Sequence, residues 1–170
     1  EAADGSEVSA CFDGRRWTAA VQGGVAELTL RIESPKLWSP DSPYLYEGMI
    51  CLGRYEVSTY FGILEIASAN YDGRVYKWIL LNGKPIYLNG TLDQAFNPQG
   101  HFTYPSDEAM RDEAWRLKRL GLNMVRIHIK PEEPRKLYWL DKLGILVMED
   151  IPCFWGEPIA EARTAYESEL

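Results

Sequence analysis

Hydrophobic and polar residues change rhythm about halfway along the chain. In the first half the period is two. Val8-Ser9-Ala10-Cys11-Phe12 alternates, Asp13-Gly14 supplies a turn, and Trp17 to Val21 runs back. After Gly23-Gly24, the stretch Ala26-Glu27-Leu28-Thr29-Leu30-Arg31-Ile32 alternates strictly, which predicts a strand with one buried face. Pro35, Pro40 and Pro43 interrupt before Tyr44-Leu45-Tyr46 resumes an apolar run, and a further strand is predicted over Tyr55 to Phe61, with Gly62 after it. Short strands at this spacing predict an antiparallel sandwich.

From Tyr76 the pattern lengthens. Ile79-Leu80-Leu81, Asn82-Gly83 and Pro85-Ile86-Tyr87-Leu88 predict a hairpin, because Asn-Gly accepts the positive φ angles of a tight turn. A helix is predicted from Ser106: Ser106 or Asp107 caps it, Asp107 and Glu108 complement its dipole, and Met110, Ala114, Leu117 and Leu120 recur at spacings of three and four. Gly121 ends it. Met124 to Ile129 reads as the next strand, Pro134 to Gly144 as a second helix, and Ile145 to Met148 as a third strand. Glu157 to Leu170 has weaker helical spacing, at Ile159, Ala162, Tyr166 and Leu170. Strand, helix, strand, helix, strand implies parallel pairing with right-handed crossovers. Periodicity does not separate an open doubly wound sheet from a (β/α)₈ barrel.

Composition narrows the function. A formal net charge of −7 argues against nucleic acid, since a phosphate-binding surface needs a basic footprint. No apolar stretch approaches the roughly 20 residues needed to cross a bilayer, so no membrane partner is expected. Glu1-Ala2-Ala3-Asp4-Gly5 lacks the basic and apolar segments of a signal peptide. The compartment stays open between periplasmic or secreted and cytoplasmic. Six Trp and ten Tyr are more than a minimal core needs; their faces suit sugar rings as well as packing. Cys11, Cys51 and Cys153 form no CxxC pair, which points to free thiols rather than a zinc site or disulfide framework. Neither GxGxxG nor GxxxxGK[ST] occurs, and no GxSxG nucleophile elbow, so nucleotide binding and α/β-hydrolase chemistry are disfavoured and no cofactor is expected.

Three stretches, taken in order, resemble glycoside hydrolase family 2, the group of β-galactosidases, β-glucuronidases and β-mannosidases. Leu37-Trp38-Ser39-Pro40-Asp41-Ser42-Pro43-Tyr44-Leu45-Tyr46, with Tyr60-Phe61-Gly62-Ile63, is similar to the end of that family's immunoglobulin-like domain. Leu81-Asn82-Gly83-Lys84-Pro85-Ile86-Tyr87-Leu88-Asn89-Gly90 is similar to its approach to the first barrel strand. Leu120-Gly121-Leu122-Asn123-Met124-Val125-Arg126 through Asp141-Lys142-Leu143-Gly144-Ile145-Leu146-Val147 resembles its second strand, second helix and third strand. The resemblance implies a partial antiparallel immunoglobulin-like β-sandwich over residues 1–67, followed over 68–170 by the first β/α units of a TIM barrel. It departs from the galactosidase branch at Ile127-His128-Ile129-Lys130-Pro131, where that branch shows Ser-His-Tyr-Pro, and at Glu149-Asp150, where it shows Asp-Glu. Leu92-Asp93-Gln94 stands where galactosidases carry a His-rich stretch.

What the resemblance implies for chemistry is a retaining exo-β-glycosidase. Such enzymes use two carboxyl groups about 5–5.5 Å apart, one as acid/base and one as nucleophile. In the family the acid/base is a Glu in an Asn-Glu pair after the fourth strand, and the nucleophile is a Glu near the seventh. No Asn-Glu dipeptide occurs here, and fewer than 100 residues follow Tyr76, against roughly 250 in a whole barrel. The chain is therefore expected to be a fragment without the catalytic pair. The substrate-binding candidates, all toward the C-terminal ends of barrel strands, are Asp93, Arg126, His128, Lys130, Asp150 and Trp155. Arg126 is expected to point into the barrel mouth and fix carboxylates through its planar fork. Glu108, Asp112 and Glu113 are expected to be solvated helix charges. The partner implied is a β-glycoside. Three barrel strands leave an unpaired edge, to be covered by another copy in a homo-oligomer, a helix or a rearranged segment. The alternative is a carbohydrate-binding or interaction module that uses the aromatic-rich sandwich alone.

Overall fold

Alternation in the first half becomes antiparallel sheet. The computed structural model describes residues 3–169; Glu1, Ala2 and Leu170, which the sequence readings include, lie outside the described residues. Strands β1 (Glu7–Phe12), β2 (Arg15–Ala20), β3 (Tyr46–Leu52) and β4 (Tyr55–Phe61) pair in the order β2-β1-β3-β4. The register sets Ala10 beside Trp17 and Ile50, Ile50 beside Val57, and Tyr46 beside Phe61, so one face is apolar. Ala10, Phe12 and Tyr46 are its buried centre, and the rings of Phe12 and Tyr46 each meet Phe61 at about 5 Å. Gly48, opposite Phe12, is what lets that ring lie flat: a Cβ there would come 2.3 Å from Phe12 Cδ1 and 2.1 Å from the Cys11 carbonyl oxygen.

The strand predicted over Ala26 to Ile32 does not form. Its backbone joins no ladder, and the only bridge nearby is Gln22 with Val25. Leu28, Leu30 and Ile32 nevertheless pack on the apolar cluster while Glu27, Thr29 and Arg31 are exposed. Alternation reports which side meets apolar surface. A strand also needs a neighbouring backbone, and no described strand supplies one there.

A second antiparallel sheet joins β5 (Ile66–Ala69), β6 (Trp78–Leu81) and β7 (Lys84–Pro85). The predicted turn is present, with Asn82 at φ 51° and Gly83 at φ 75°. Its return strand stops at Pro85 instead of running to Leu88. Asn123 intervenes: its Nδ2 donates to the Tyr87 carbonyl (2.8 Å) and its Oδ1 accepts from Asn89 N (2.8 Å), steering the chain into the next sheet.

That sheet is parallel. β8 (Gly90–Asp93), α1 (Asp107–Arg119), β9 (Met124–Ile127), α2 (Pro134–Leu143) and β10 (Leu146–Glu149) follow one another, with strand order β10-β9-β8; α3 (Ala160–Glu169) comes last. Ser106 caps α1, its Oγ accepting from Ala109 N. β9 ends two residues earlier than predicted because Ile129 sits at φ 58°, outside strand geometry. Val125 and Ile127, which alternate with Arg126 along the strand, are fully buried with Ala114, Leu140 and Ile145. Each large aliphatic buried there contributes about 1.5–3 kcal/mol, so packing on α1 and α2 is what holds β9.

The Trp38-Ser39-Pro40 segment clamps the first half to the end of α2. Trp38 is buried; its Nε1 donates to the Asp141 carbonyl (2.8 Å), and Asn82 Nδ2 donates to the Trp38 carbonyl (3.0 Å). Lys118 Nζ donates to the carbonyls of both Pro40 (2.5 Å) and Gly144 (3.2 Å). Tyr60 Oη donates to Asp141 Oδ2 (3.0 Å), and Lys142 and Tyr138 both meet Glu47 Oε1. Burial pushes the Asp141 carboxyl above its ordinary range, only partly opposed by the Tyr60 hydroxyl. The carboxylate also lies in the last turn of a helix, at the negative end of its dipole. A folded pKa raised above the unfolded one means that the ionised group costs stability at neutral pH, and that the cost disappears as pH falls below the unfolded value. Asp141→Asn keeps the acceptor for Tyr60. It is expected to raise Tm by about 1–4 °C at pH 7 and to lose that gain in acid, read by thermal unfolding across pH.

Candidate functional site

The parallel register decides which side chains share a face. Leu92, Arg126 and Met148 lie side by side on the surface away from α1 and α2, while Asp93, Ile127 and Glu149 form the next row on the helix side. Just past the strands' C-terminal ends the chain adds Gln94, His128 and Asp150.

Arg126 and Asp150 meet as a fork: Nε donates to Oδ1 (3.1 Å) and an Nη to Oδ2 (2.8 Å). The Arg126 hydrogen bonds hold the Asp150 carboxyl below the ordinary carboxylate range, with His128 adding a smaller pull in the same direction. Asp150 in turn raises the guanidinium above its usual value. Arg126 is half open to solvent and Asp150 partly so, so the pair gives the fold little and presents a preset, planar charge array instead. His128 Nδ1 lies 2.9 Å from Gln94 Oε1. With the carbonyl oxygen of Gln94 as acceptor, Nδ1 carries the proton and Nε2 is left as an acceptor or, once protonated, a donor.

The other candidates lie apart. Asp93 is turned to the helix side, where Oδ1 caps Ala95 N (2.7 Å) and Oδ2 meets Lys136 Nζ. Lys130 folds back to the Phe102 carbonyl (2.5 Å) and Glu132 Oε1 (2.8 Å). Trp155, 98% exposed, stands in the segment between β10 and α3.

Sequence reasoning missed the group behind the sheet. Lys136 is wholly buried in the first turns of α2, and its Nζ meets Asp93, Glu113 (3.0 Å), Glu132 (3.3 Å) and the Tyr104 hydroxyl. Burial alone would lower its pKa; hydrogen bonds from the ammonium to Asp93 and Tyr104, and the charge of Glu113, more than reverse this, so it stays protonated. Tyr104 Oη also reaches Glu113 (2.8 Å), which is therefore not the free helix charge that its spacing predicted. One signal was present: Lys136 lies four residues before Leu140, on the buried face of α2. Among the described residues no cluster of three or more His, Cys, Asp or Glu side chains could hold a metal, and no helix is long and apolar enough to cross a membrane. A cavity of about 760 Å³, lined by Pro40, Asn82, Tyr87, Lys118 and Asn123, opens at the opposite ends of these strands, away from Arg126.

Residues 3–63 match the family described as Glycosyl hydrolases family 2, and residues 75–156 match Glycosyl hydrolases family 2, TIM barrel domain. The chain belongs to glycosyl hydrolases family 2. A β-galactosidase of Thermoanaerobacter pseudethanolicus is 32% identical over 131 residues, covering 72% of this chain and 17% of its own length. The chain thus spans under a fifth of that family 2 relative. A β-galacturonidase of Eisenbergiella tayi, solved with bound galacturonate, matches with a TM-score of 0.68 and 25% identity over 86% of this chain and 26% of its own. β-Glucuronidase 3 of Bacteroides uniformis shares the fold, with a TM-score of 0.77 at 24% identity over 96% of this chain and 21% of its own. Antiparallel sheet followed by a parallel sheet within the residues that match the TIM barrel domain is the architecture that places Arg126.

Proposed function

We propose that this chain is part of a longer retaining exo-β-glycosidase, in which it joins an immunoglobulin-like sandwich, about residues 1–67, to the start of the catalytic barrel, about 68–170. The observation that carries the reading is the Arg126–Asp150 fork with His128 beside it at the C-terminal ends of parallel strands. In (β/α)₈ enzymes that end of the strands holds the active site. The packing of Leu28, Leu30 and Ile32 across the apolar face of the first sheet supports the sandwich.

On this reading the substrate is a β-glycoside. Arg126 faces the developing barrel interior and aligns carboxylates there; Asp150 locks the guanidinium plane and accepts from sugar hydroxyls; His128 offers Nε2 to a hydroxyl. Lys130 and Trp155 stand at the rim, and Asp93 acts from behind the sheet. The acid/base and nucleophile glutamates belong to parts of the enzyme beyond these residues, since no Asn-Glu pair occurs here. The outer edges of β8 and β10, which have no described neighbour, are covered by later barrel strands rather than by a second copy.

The test is turnover. The full-length enzyme is expected to hydrolyse at least one of the aryl β-galactoside, β-glucuronide and β-mannoside, and the 170-residue chain none. Robust turnover that co-purifies with the chain alone would overturn the assignment of the catalytic pair. Binding of sugar by residues 1–67 alone would favour a binding module instead.

A further inference from the structure

A buried lysine is costly unless its partners are arranged around it, and Lys136 has partners from four separate segments. Two of them lead directly to the loops that follow β8 and β9. Asp93 holds Lys136 with one oxygen and with the other caps Ala95 N, which shapes the turn carrying Gln94. Ala95 is buried at φ 54°, a conformation that an alanine keeps only where its surroundings impose it. Gln94 then meets His128 Nδ1. Glu132, whose side chain is fully buried, holds Lys136 with Oε2; its Oε1 takes Lys130 Nζ and the backbone N–H of Glu133. Lys130 reaches onward to the Phe102 carbonyl and ties the two loops to each other.

From this we infer that Lys136 is a positioning residue for the substrate site: through Asp93 it sets the Gln94–His128 contact, and through Glu132 it sets Lys130. The inference rests on the proposed function, because it matters to catalysis only if His128 and Lys130 serve the sugar site. Lys136 itself lies on the helix side of the sheet and touches no substrate. Its effect is geometric, and it reaches two loops by two distinguishable links.

Those links make the test selective. Asp93→Asn keeps an oxygen for Ala95 N but removes the charge facing Lys136; Glu132→Gln does the same for the second link. In the full-length enzyme, hydrogen exchange read by mass spectrometry is expected to quicken in residues 94–97 for Asp93→Asn, and in 128–133 together with the Phe102 segment that Lys130 holds for Glu132→Gln, with the rest of the protein unchanged. Lys136→Met is expected to quicken both. Steady-state kinetics should show KM rising more than kcat falls, with kcat/KM down about 10–100-fold, the scale of a misplaced contact. Lys136→Met strands three carboxylates and is the variant most exposed to misfolding; the two single-link variants then decide alone. Loops that stay protected, or exchange that quickens evenly throughout, would overturn the positioning role. Selective loosening with unaltered kinetics would instead remove His128 and Lys130 from the substrate site and overturn the positioning role, while the glycosidase reading, which turnover tests, would stand.

Discussion

Arg126→Lys in the full-length enzyme is expected to lower kcat about 10–100-fold while its thermal unfolding stays as in the parent. The substitution keeps a cation and loses the planar fork, so it separates charge from geometry. Arg126 meets Asp150 through two parallel hydrogen bonds, and one ammonium cannot reproduce both while keeping the guanidinium plane. On the proposed function that plane faces the interior where the catalytic carboxylates gather. Fold stability should not follow, because β9 is held by Val125 and Ile127 on its other face, whereas Arg126 is half open to solvent. Steady-state kinetics with an aryl glycoside and thermal unfolding on the same preparation check both halves. Unchanged kcat would remove Arg126 from the site; a collapsed fold would recast it as structural.

Gly144→Ala is expected to destabilise the enzyme by about 2–4 kcal/mol, read as a loss in Tm or in denaturant midpoint. Gly144 ends α2 at φ 77°, where any L side chain is strained. A Cβ would also come 2.3 Å from the Pro40 carbonyl oxygen, the acceptor for Lys118. Backbone on that side cannot step aside without loosening Trp38. Gly121→Ala is the control: its φ of 78° is nearly the same, yet nothing lies within 4 Å of the new Cβ. It should cost only the conformational part, about 1–2 kcal/mol. Equal losses for the two would show that the Pro40 contact contributes nothing.

Local chemistry made much of the fold legible. Ser106 before an apolar repeat, Pro134 opening α2 and Gly144 closing it each act within one turn of helix, and both helices formed where the sequence placed them. Val125 and Ile127 were legible for the same reason, since alternation along β9 separates its two faces. Ala26 to Ile32 misled because the pattern carries burial but not backbone partners. Ile129 misled because the strand's end is set by a left-handed turn that β-branched residues rarely take. Among the site candidates, the pairing of Arg126 with Asp150 could be anticipated from adjacent parallel strands. The Lys136 group as a whole could not, although the buried-face position of Lys136 was visible: its members come from a strand end, two helices and two loops, and only tertiary packing shows that their charges neutralise one another out of water.

The clamp at Trp38 also has a consequence for the newly made chain. Trp38 and its acceptor at Asp141 are 103 residues apart in sequence, and Pro40 and Lys118 are 78 apart. At a synthesis rate of roughly 5–20 residues per second, the ribosome takes about 5–20 s to add the 103 residues between Trp38 and Asp141. The β1–β4 sheet is complete in sequence long before then. For that interval the Trp38 indole stays in water with its N–H donating to solvent, because the helix that will accept from it has not yet been translated; the clamp can close only after the first sheet is complete in sequence.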